Sequence, residues 1–198
     1  MPTLVIVGGP NGSGKTTLTN HLIARGRITT HVINPDNIAK LEFGSYHFHI
    51  KAAKVALERR ELALSARIDF AFETTFSGKS EINHCIAAKA SGFRTILYYV
   101  TLNSVMDNIN RVEEREFDLG HPVDVQDIVR RYDKSKLNLL KHIYLFDRVY
   151  LFDNSETDRS RVAIFESGNL LWLNPKHKNH PFYKDLFSAD NTENEAEH

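Results

Sequence analysis

The sequence predicts an α/β domain with a doubly wound, mainly parallel sheet. Short, continuously apolar runs alternate with segments of helical periodicity, which is typical of strands that helices cover on both faces. The first apolar run leads through a glycine-rich turn directly into a helical segment. With 198 residues, of which 41% are hydrophobic, the chain suits a single domain with a sizeable core. In this fold class, ligands bind at the carboxyl ends of the strands.

Strands are predicted where apolar, β-branched or aromatic residues are bounded by turn residues, and helices where apolar residues recur at helical spacing between capping signals. The predicted strands lie at residues 4–7, 31–33, 69–72, 94–102 and 149–152. The predicted helices lie at about residues 15–24, 48–67, 80–89, 104–117 and 125–146, with a short helix that starts after Asn34. Residues 37–46 show no clear pattern.

The C-terminal part of the chain has a different pattern. Residues 161–166 and 170–173 are β-rich and flank a Ser-Gly-Asn turn, so they predict a C-terminal β-hairpin. After this hairpin the chain becomes polar. We therefore predict a domain at residues 1–173 and a polar, partly disordered tail at residues 174–198.

The composition argues against a large nucleic-acid or membrane surface. The 25 basic and 25 acidic residues give a net charge of zero, so no global positive field attracts a polyanion. The single cysteine, Cys85, excludes an internal disulfide framework. Met1 and Pro2 lead straight into the first strand, and no apolar stretch reaches the length of a membrane span. These features predict a soluble cytoplasmic protein without a membrane partner.

The segment GPNGSGKTT, at residues 9–17, follows the first strand and carries the phosphate-loop pattern. Backbone N–H groups in such a loop surround a phosphate, and the lysine reaches the outer phosphate oxygens. The following threonine hydroxyl is a ligand for Mg²⁺. The sequence therefore predicts a site for ATP and Mg²⁺, with Thr16 as the metal ligand. The predicted cofactor-binding residues are Gly9, Asn11, Gly12, Ser13, Gly14, Lys15, Thr16 and Thr17.

Asp36 follows the second predicted strand, at the end where ligands bind. Its carboxylate could accept the proton of a substrate hydroxyl while that oxygen attacks the γ-phosphorus of ATP. An aspartate beside Pro35 could equally cap the short helix that begins there. The local sequence leaves both roles open.

Glu73 and Thr75 lie at the carboxyl end of the third predicted strand. A carboxylate there can hold a magnesium-bound water or a substrate hydroxyl, and a threonine hydroxyl can donate a hydrogen bond. The alternative is a solvated turn that binds nothing. The position at the strand end favours substrate binding.

Two predicted helices at about residues 104–146 form a candidate lid that carries four arginines. Arg111 and Arg115 share one helix face, and Arg130 and Arg131 follow after a break made by glycine and proline. Guanidinium groups on such a lid could neutralise charge on a transferring phosphoryl group. The alternative is a surface on which these arginines pair with neighbouring carboxylates.

Five motifs occur in a fixed order within residues 4 to about 155. They are GPNGSGKTT, NPDNIA from Asn34, FETTFSG from Phe72, RVEEREFDLGHPVDVQDIVRRYDKSKLNL from Arg111, and DNS from Asp153. In this set and order they resemble the zeta toxin family of phosphate-loop kinases, in particular its short members. The resemblance implies ATP-dependent phosphorylation of a small hydroxyl-bearing molecule, which in characterised toxins is UDP-N-acetylglucosamine.

The resemblance also implies roles for individual residues. Asp36 matches the catalytic base, Lys15 the phosphate-loop lysine, and Glu73 with Thr75 the substrate-side loop. Where toxins have an arginine that contacts the sugar nucleotide, four residues after the loop glutamate, this chain has Ser77.

On the candidate lid, Arg111 and Arg130 resemble the phosphate-binding arginines of the family, and Arg115 and Arg131 lie close to them in the sequence. Toxins of this family are blocked by a small antitoxin that covers the ATP site. The resemblance therefore implies an antitoxin protein as a possible partner.

Two other functions remain open at this stage. A nucleotide-gated regulatory module would bind ATP and order its lid without transferring phosphate. A polynucleotide 5′-hydroxyl kinase would require a basic groove and stacking aromatic residues, which the neutral charge balance disfavours. Replacing Asp36 by Asn separates a kinase from a switch, because only the kinase needs a base.

Overall fold

A computed structural model of the chain describes residues 1–119 and 123–188. The strands in these residues form one seven-stranded sheet in the order β2-β3-β1-β4-β5-β6-β7. They are β1 (Thr3–Gly8), β2 (Val32–Ile33), β3 (Phe70–Thr74), β4 (Arg94–Thr101), β5 (Arg148–Asp153), β6 (Ser160–Glu166) and β7 (Asn169–Leu173). The first five pair in parallel, and β6 and β7 join antiparallel. The predicted doubly wound, mainly parallel sheet with a C-terminal hairpin is confirmed.

Helices connect the parallel strands. In the described residues they are α1 (Lys15–Ala24), α2 (Pro35–Leu41), α3 (His49–Ser65), α4 (Ser80–Ala90), α5 (Val105–Leu119), α6 (Val125–His142) and α7 (Lys184–Ser188). The helix predicted to reach residue 146 ends as an α-helix at His142 and continues as a 3-10 turn. None of the helices in this part of the chain is long and apolar enough to cross a membrane.

β1 lies in the middle of the sheet and fixes the start of the phosphate loop. Leu4 and Ile6 point into the larger hydrophobic cluster, and Val5 and Val7 into the smaller one, because successive residues of a strand face opposite sides. All four are buried, and each contributes roughly 1.5–3 kcal/mol to stability. The loop that follows β1 is therefore anchored from both faces of the sheet.

α5 and α6, the helices of the predicted lid, pack against each other through a small cluster of their own. Ile109 and Val112 of α5 contact Ile128 of α6 within this cluster. The cluster is separate from the two that cover the sheet. The glycine–proline break predicted between these helices lies at residues 120–122, outside the described residues.

The segment after β7 differs from the polar tail predicted to begin at residue 174. Phe182 and Tyr183 are 1% and 0% exposed and belong to the larger core cluster. The Tyr183 hydroxyl donates a hydrogen bond to the Phe152 carbonyl oxygen at 2.9 Å. Residues 174–188 are thus part of the folded domain, because the burial of two aromatic side chains outweighs the polar average of the segment. The disorder predicted for residues 191–198 lies outside the described residues.

Candidate functional site

The carboxyl ends of the first three parallel strands open into a cavity of about 1060 Å³. Nine of the predicted site residues line it: Asn11, Gly12, Gly14, Lys15, Thr16, Thr17, Asp36, Glu73 and Thr75. The phosphate loop, the segment after β2 and the segment after β3 thus surround one space, although they are far apart in the sequence.

The path of the phosphate loop depends on Gly9 and Gly12, which have φ angles of 149° and 73°. A Cβ on Gly9 would collide with the backbone of β4, and one on Gly12 would come within 2.6 Å of the Asn108 carbonyl oxygen. Only glycine fits both the backbone angle and the close approach. Lys15 Nζ donates a hydrogen bond to the Pro10 carbonyl oxygen across the loop, at 2.8 Å.

The loop is also held from the side of α5 and β5. The buried Asn108 side chain donates a hydrogen bond to the Asn11 carbonyl oxygen. Asn154 Nδ2 donates to the Ser13 carbonyl oxygen at 3.0 Å, and the Asn154 carbonyl oxygen accepts a hydrogen bond from Arg111 at 2.8 Å. Sequence reasoning missed Asn108, since a buried asparagine on a helix has no distinct local signal.

Thr16 and Glu73 meet at the edge of the cavity. The Thr16 hydroxyl donates a hydrogen bond to Glu73 Oε2 at 3.0 Å. Glu73 is buried and pairs in the sheet with Val7, so its side chain lies level with the start of the phosphate loop. A hydroxyl and a carboxylate oxygen are suitable ligands for Mg²⁺ or for its bound waters. The donor set therefore fits the metal predicted at Thr16, and Glu73, which the resemblance assigns to the substrate-side loop, is hydrogen-bonded to this hydroxyl.

Asp36 lies on the cavity wall in the first turn of α2. The cap of this helix is Asn34, whose Oδ1 accepts a hydrogen bond from the Asp36 N–H at 2.9 Å. Pro35 occupies the first helical position, which it favours because its φ angle is already helical. Of the two roles that the sequence left open for Asp36, capping therefore belongs to Asn34, and the Asp36 carboxylate lies at an exposed position beside the cavity.

The loop after β3 is fixed by a hydrogen bond within the loop and by a hydrogen bond to α6. The Thr75 hydroxyl bonds to the Ser77 hydroxyl at 2.8 Å, and the Thr75 carbonyl oxygen accepts from Ser135 at 2.6 Å. Ser135 also bonds to the Tyr99 hydroxyl at 2.6 Å, and burial raises the pKa of Tyr99 well above its ordinary value. Since α6 belongs to the predicted lid, the lid and the segment that carries Thr75 are joined.

The predicted arginines differ in position. Arg131 lines the cavity and lies 3.7 Å from Asp127, whereas Arg130 is exposed and pairs with Asp127 at 2.7 Å. Arg111 bonds to the backbone beside the phosphate loop and is not one of the described lining residues. The side chain of Arg115 lies outside the described residues. On α6 the structure thus brings Arg131 to the cavity instead of Arg130, because helix rotation turns adjacent residues about 100° apart.

A polar cluster at the end of β5 consists of Asp153, His177 and His180. Their candidate ligand atoms lie within 4.8 Å of one another. The Phe182 N–H donates to His180 Nδ1 at 3.2 Å, which places the proton of a neutral His180 ring on Nε2, 3.5 Å from Asp153. A protonated Nε2 cannot bind a metal. Burial tends to raise the pKa of Asp153, but hydrogen bonds from His180 and Ser155 outweigh this effect and hold the pKa below its ordinary value. The cluster therefore anchors the C-terminal segment.

Comparison with known proteins extends these observations. The family model described as Zeta toxin matches residues 1–167. An uncharacterized protein of Haemophilus influenzae is 34% identical over 125 residues, which cover 62% of this chain and 86% of that protein. A chain of the AvrRxo1-ORF1:-ORF2 complex crystallised with ATP has a TM-score of 0.67 at 17% identity and is matched over 91% of this chain. This chain spans 64% of that neighbour.

A further structural neighbour comes from the PezAT chromosomal toxin–antitoxin system of Streptococcus pneumoniae. It has a TM-score of 0.62 at 17% identity, and the match covers 97% of this chain and 85% of that chain. At such identities both neighbours support the fold alone. The family match covers most of the chain, from β1 through β6. This chain therefore belongs to the zeta toxin family.

Proposed function

We propose that this protein is an ATP-dependent kinase that transfers the γ-phosphoryl group to a hydroxyl of a small molecule, with Mg²⁺ as cofactor. The observation that carries the proposal is the hydrogen bond between Thr16 and Glu73 beside the phosphate loop, in a cavity that Asp36 also lines. Family membership and the ATP present in the AvrRxo1 complex support ATP as the donor.

The residues around the cavity have separate tasks in this reaction. Backbone N–H groups of the loop and Lys15 bind the β- and γ-phosphate oxygens. Thr16 and Glu73 hold Mg²⁺, which when bound offsets the negative charge of the phosphates. Arg131 adds positive charge from the lid.

Asp36 acts as the base in the transfer step. As the acceptor oxygen forms its bond to the γ-phosphorus, the bond between that phosphorus and the β–γ bridging oxygen breaks and ADP leaves. The proton of the acceptor hydroxyl moves to the Asp36 carboxylate. The exposed position of Asp36 on the cavity wall leaves room for a substrate to approach it.

The test uses purified protein with γ-labelled ATP, Mg²⁺ and a panel of hydroxyl metabolites. Asp36→Asn is expected to abolish transfer of label while ATP binding persists, since Asp36 lies outside the phosphate loop. Asp158→Asn, at an exposed position outside the cavity lining, serves as the matched control. Tight ATP binding without transfer to any compound would instead favour the nucleotide-gated module.

UDP-N-acetylglucosamine is the acceptor that we propose first. The proposal follows from family membership. This chain lacks one contact of the toxins, because Ser77 stands where they have a sugar-nucleotide-binding arginine. Label that moves to this compound only when Asp36 is intact supports it. Label that moves to another hydroxyl compound keeps the kinase and replaces the acceptor.

A protein antitoxin is the partner that we propose. The structural neighbour from the PezAT toxin–antitoxin system supports this proposal. Expression of the intact protein in a bacterium is expected to slow growth, and expression of Asp36→Asn is not. Normal growth with the intact, folded protein would remove the toxin role.

A further inference from the structure

Arg60 occupies an apolar position on α3. The face of this helix that packs towards the sheet carries Ala52, Ala56 and Ala63, all buried. Their spacing continues through position 60 at helical periodicity, where an aliphatic residue would be expected. Arg60 is nevertheless 7% exposed. A charged side chain in the middle of a buried apolar stripe costs free energy unless an opposite charge or hydrogen bonds compensate it.

The surroundings of Arg60 offset its buried charge only in part. The guanidinium lies over the Phe72 ring, with its central carbon 3.9 Å from the ring centroid. Its Nε is buried and has no hydrogen-bond partner among the described residues. Burial lowers the pKa of Arg60 to about 10, and the nearby Glu81 opposes this change only in part. Glu81 itself accepts a hydrogen bond from the Thr74 hydroxyl.

Arg60 lines the same cavity as the phosphate loop. α3 packs against β2 and β3 and also against α2. Asp36 lies in the first turn of α2, and Glu73 lies next to the last residue of β3. Lys15 and Arg131 bring positive charge to the loop and to the lid. Arg60 brings it to α3, which packs against the helix that carries Asp36, the residue that the acceptor hydroxyl has to reach.

We propose that Arg60 binds an anionic group of the phosphoryl acceptor, so that the acceptor is a hydroxyl compound that also carries a phosphate or a carboxylate. This inference rests on the proposed kinase function. The planar guanidinium matches the paired oxygens of either group. An anion at this point would add to the partial compensation that Glu81 provides. Because the Phe72 ring already orients the guanidinium, binding loses little side-chain freedom.

The first experiment measures binding alone. The phosphate loop is filled with a non-hydrolysable ATP analogue and Mg²⁺, and matched compounds are then titrated by calorimetry. One set is glycerol, glycerate and glycerol 3-phosphate; the other is N-acetylglucosamine, its 1-phosphate and UDP-N-acetylglucosamine. At least one charged member is expected to bind at least about tenfold more tightly than its neutral parent. The first set also separates phosphate from carboxylate recognition, because it contains one compound of each kind.

Arg60→Gln is expected to remove that preference and to change the affinity for the ATP analogue less than about twofold. Arg60→Lys is expected to keep part of the preference for charged compounds, because lysine retains the positive charge but lacks the planar, bidentate guanidinium. The inference is overturned if charged and neutral compounds bind alike, or if the preference survives Arg60→Gln.

A stability measurement excludes a purely structural role. Arg60→Met keeps an unbranched apolar stem but removes the guanidinium that lies over Phe72, and with it the buried charge. The ligand-free variant is expected to unfold at a higher temperature than the wild type, because a buried charge that is compensated only in part costs free energy in the folded state. A lower unfolding temperature would identify Arg60 as a structural residue and overturn the inference.

Label transfer from ATP, measured with the same proteins and compounds, distinguishes the two proposals. Transfer to a neutral alcohol that Arg60→Gln leaves unchanged overturns the anion site and keeps the kinase. Charge preference that depends on Arg60, without transfer to any compound, keeps the anion site and overturns the kinase.

Discussion

Thr16 and Glu73 are separated by 57 residues in the chain, yet a 3.0 Å hydrogen bond joins them. Thr16 is exposed at the start of α1, and Glu73 is buried at the end of β3. The parallel register of β1 and β3 brings them together. At the scale of single residues, this pair forms the candidate metal site.

Thr16→Val tests this pair with little change in side-chain volume. We expect the apparent affinity for Mg²⁺ in the transfer reaction to fall on the order of 10–100-fold. The unfolding temperature should hardly change, because Thr16 is exposed. Transfer rates across a Mg²⁺ titration measure the effect, with the exposed Thr29→Val as control. An unchanged Mg²⁺ dependence would contradict the assignment.

At the scale of elements, α6 links the lid to the rest of the site. It packs on α5, bonds to the loop after β3 through Ser135, and carries both Arg130 and Arg131. Family resemblance favours Arg130, whereas the structure brings Arg131 to the cavity. A one-residue difference on a helix decides which side chain can reach a ligand.

Alanine replacements of these two arginines test which of them acts on phosphate. Arg131→Ala is expected to lower the transfer rate by roughly 10²-fold, the usual loss when one donor to a transition state is removed. Arg130→Ala is expected to lower it less, because that side chain is more exposed than Arg131, pairs more closely with Asp127 and is not among the described residues that line the cavity. The reverse order in measured kcat would show that the lid rotates when nucleotide binds.

The C-terminal segment is a second element whose role can be measured. Phe182→Ala is expected to lower the free energy of unfolding by about 3–5 kcal/mol, because the ring is buried against Tyr99 and Tyr132. Urea denaturation gives the value. Phe48→Ala, at a position 48% exposed, is the matched control and should cost less. Equal losses would mean that the segment after β7 does not stabilise the domain.

At the scale of the whole molecule, Asp153 connects the C-terminal segment to the phosphate loop. Its carboxylate faces His177 and His180, and the next residue, Asn154, bonds to Ser13 in the loop. The pKa of Asp153 is held below its ordinary value in the folded protein. Its charged form therefore stabilises the native state above the ordinary aspartate pKa of about 3.9.

As the pH falls below about 4 and through the folded pKa, this contribution is lost, because the unfolded chain binds the proton first. We expect the urea midpoint of the wild type to fall more steeply between about pH 5 and pH 3 than that of Asp153→Asn, which has no titrating group there. Unfolding curves at several pH values test this difference. Parallel pH profiles for the two proteins would show that the cluster has no such role.

The sequence by itself determined the fold class, the order of most strands and helices, the phosphate loop and the carboxylates around it. These features depend on hydrophobic periodicity, turn residues and glycine requirements, which are local and can be recognised within a few neighbouring positions. The same local patterns identified Asp36, although they could not decide whether it acts as a base or caps α2.

Only the tertiary structure decided which side chains meet. It paired Thr16 with Glu73, placed Arg131 at the cavity, packed Phe182 and Tyr183 into the core and buried Arg60 beside Phe72. Such contacts depend on strand register, on helix rotation and on the packing of segments far apart in the chain, and a shift of one residue in any of these changes them. Short sequence patterns do not determine that register, so only the folded chain shows which side chains are in contact.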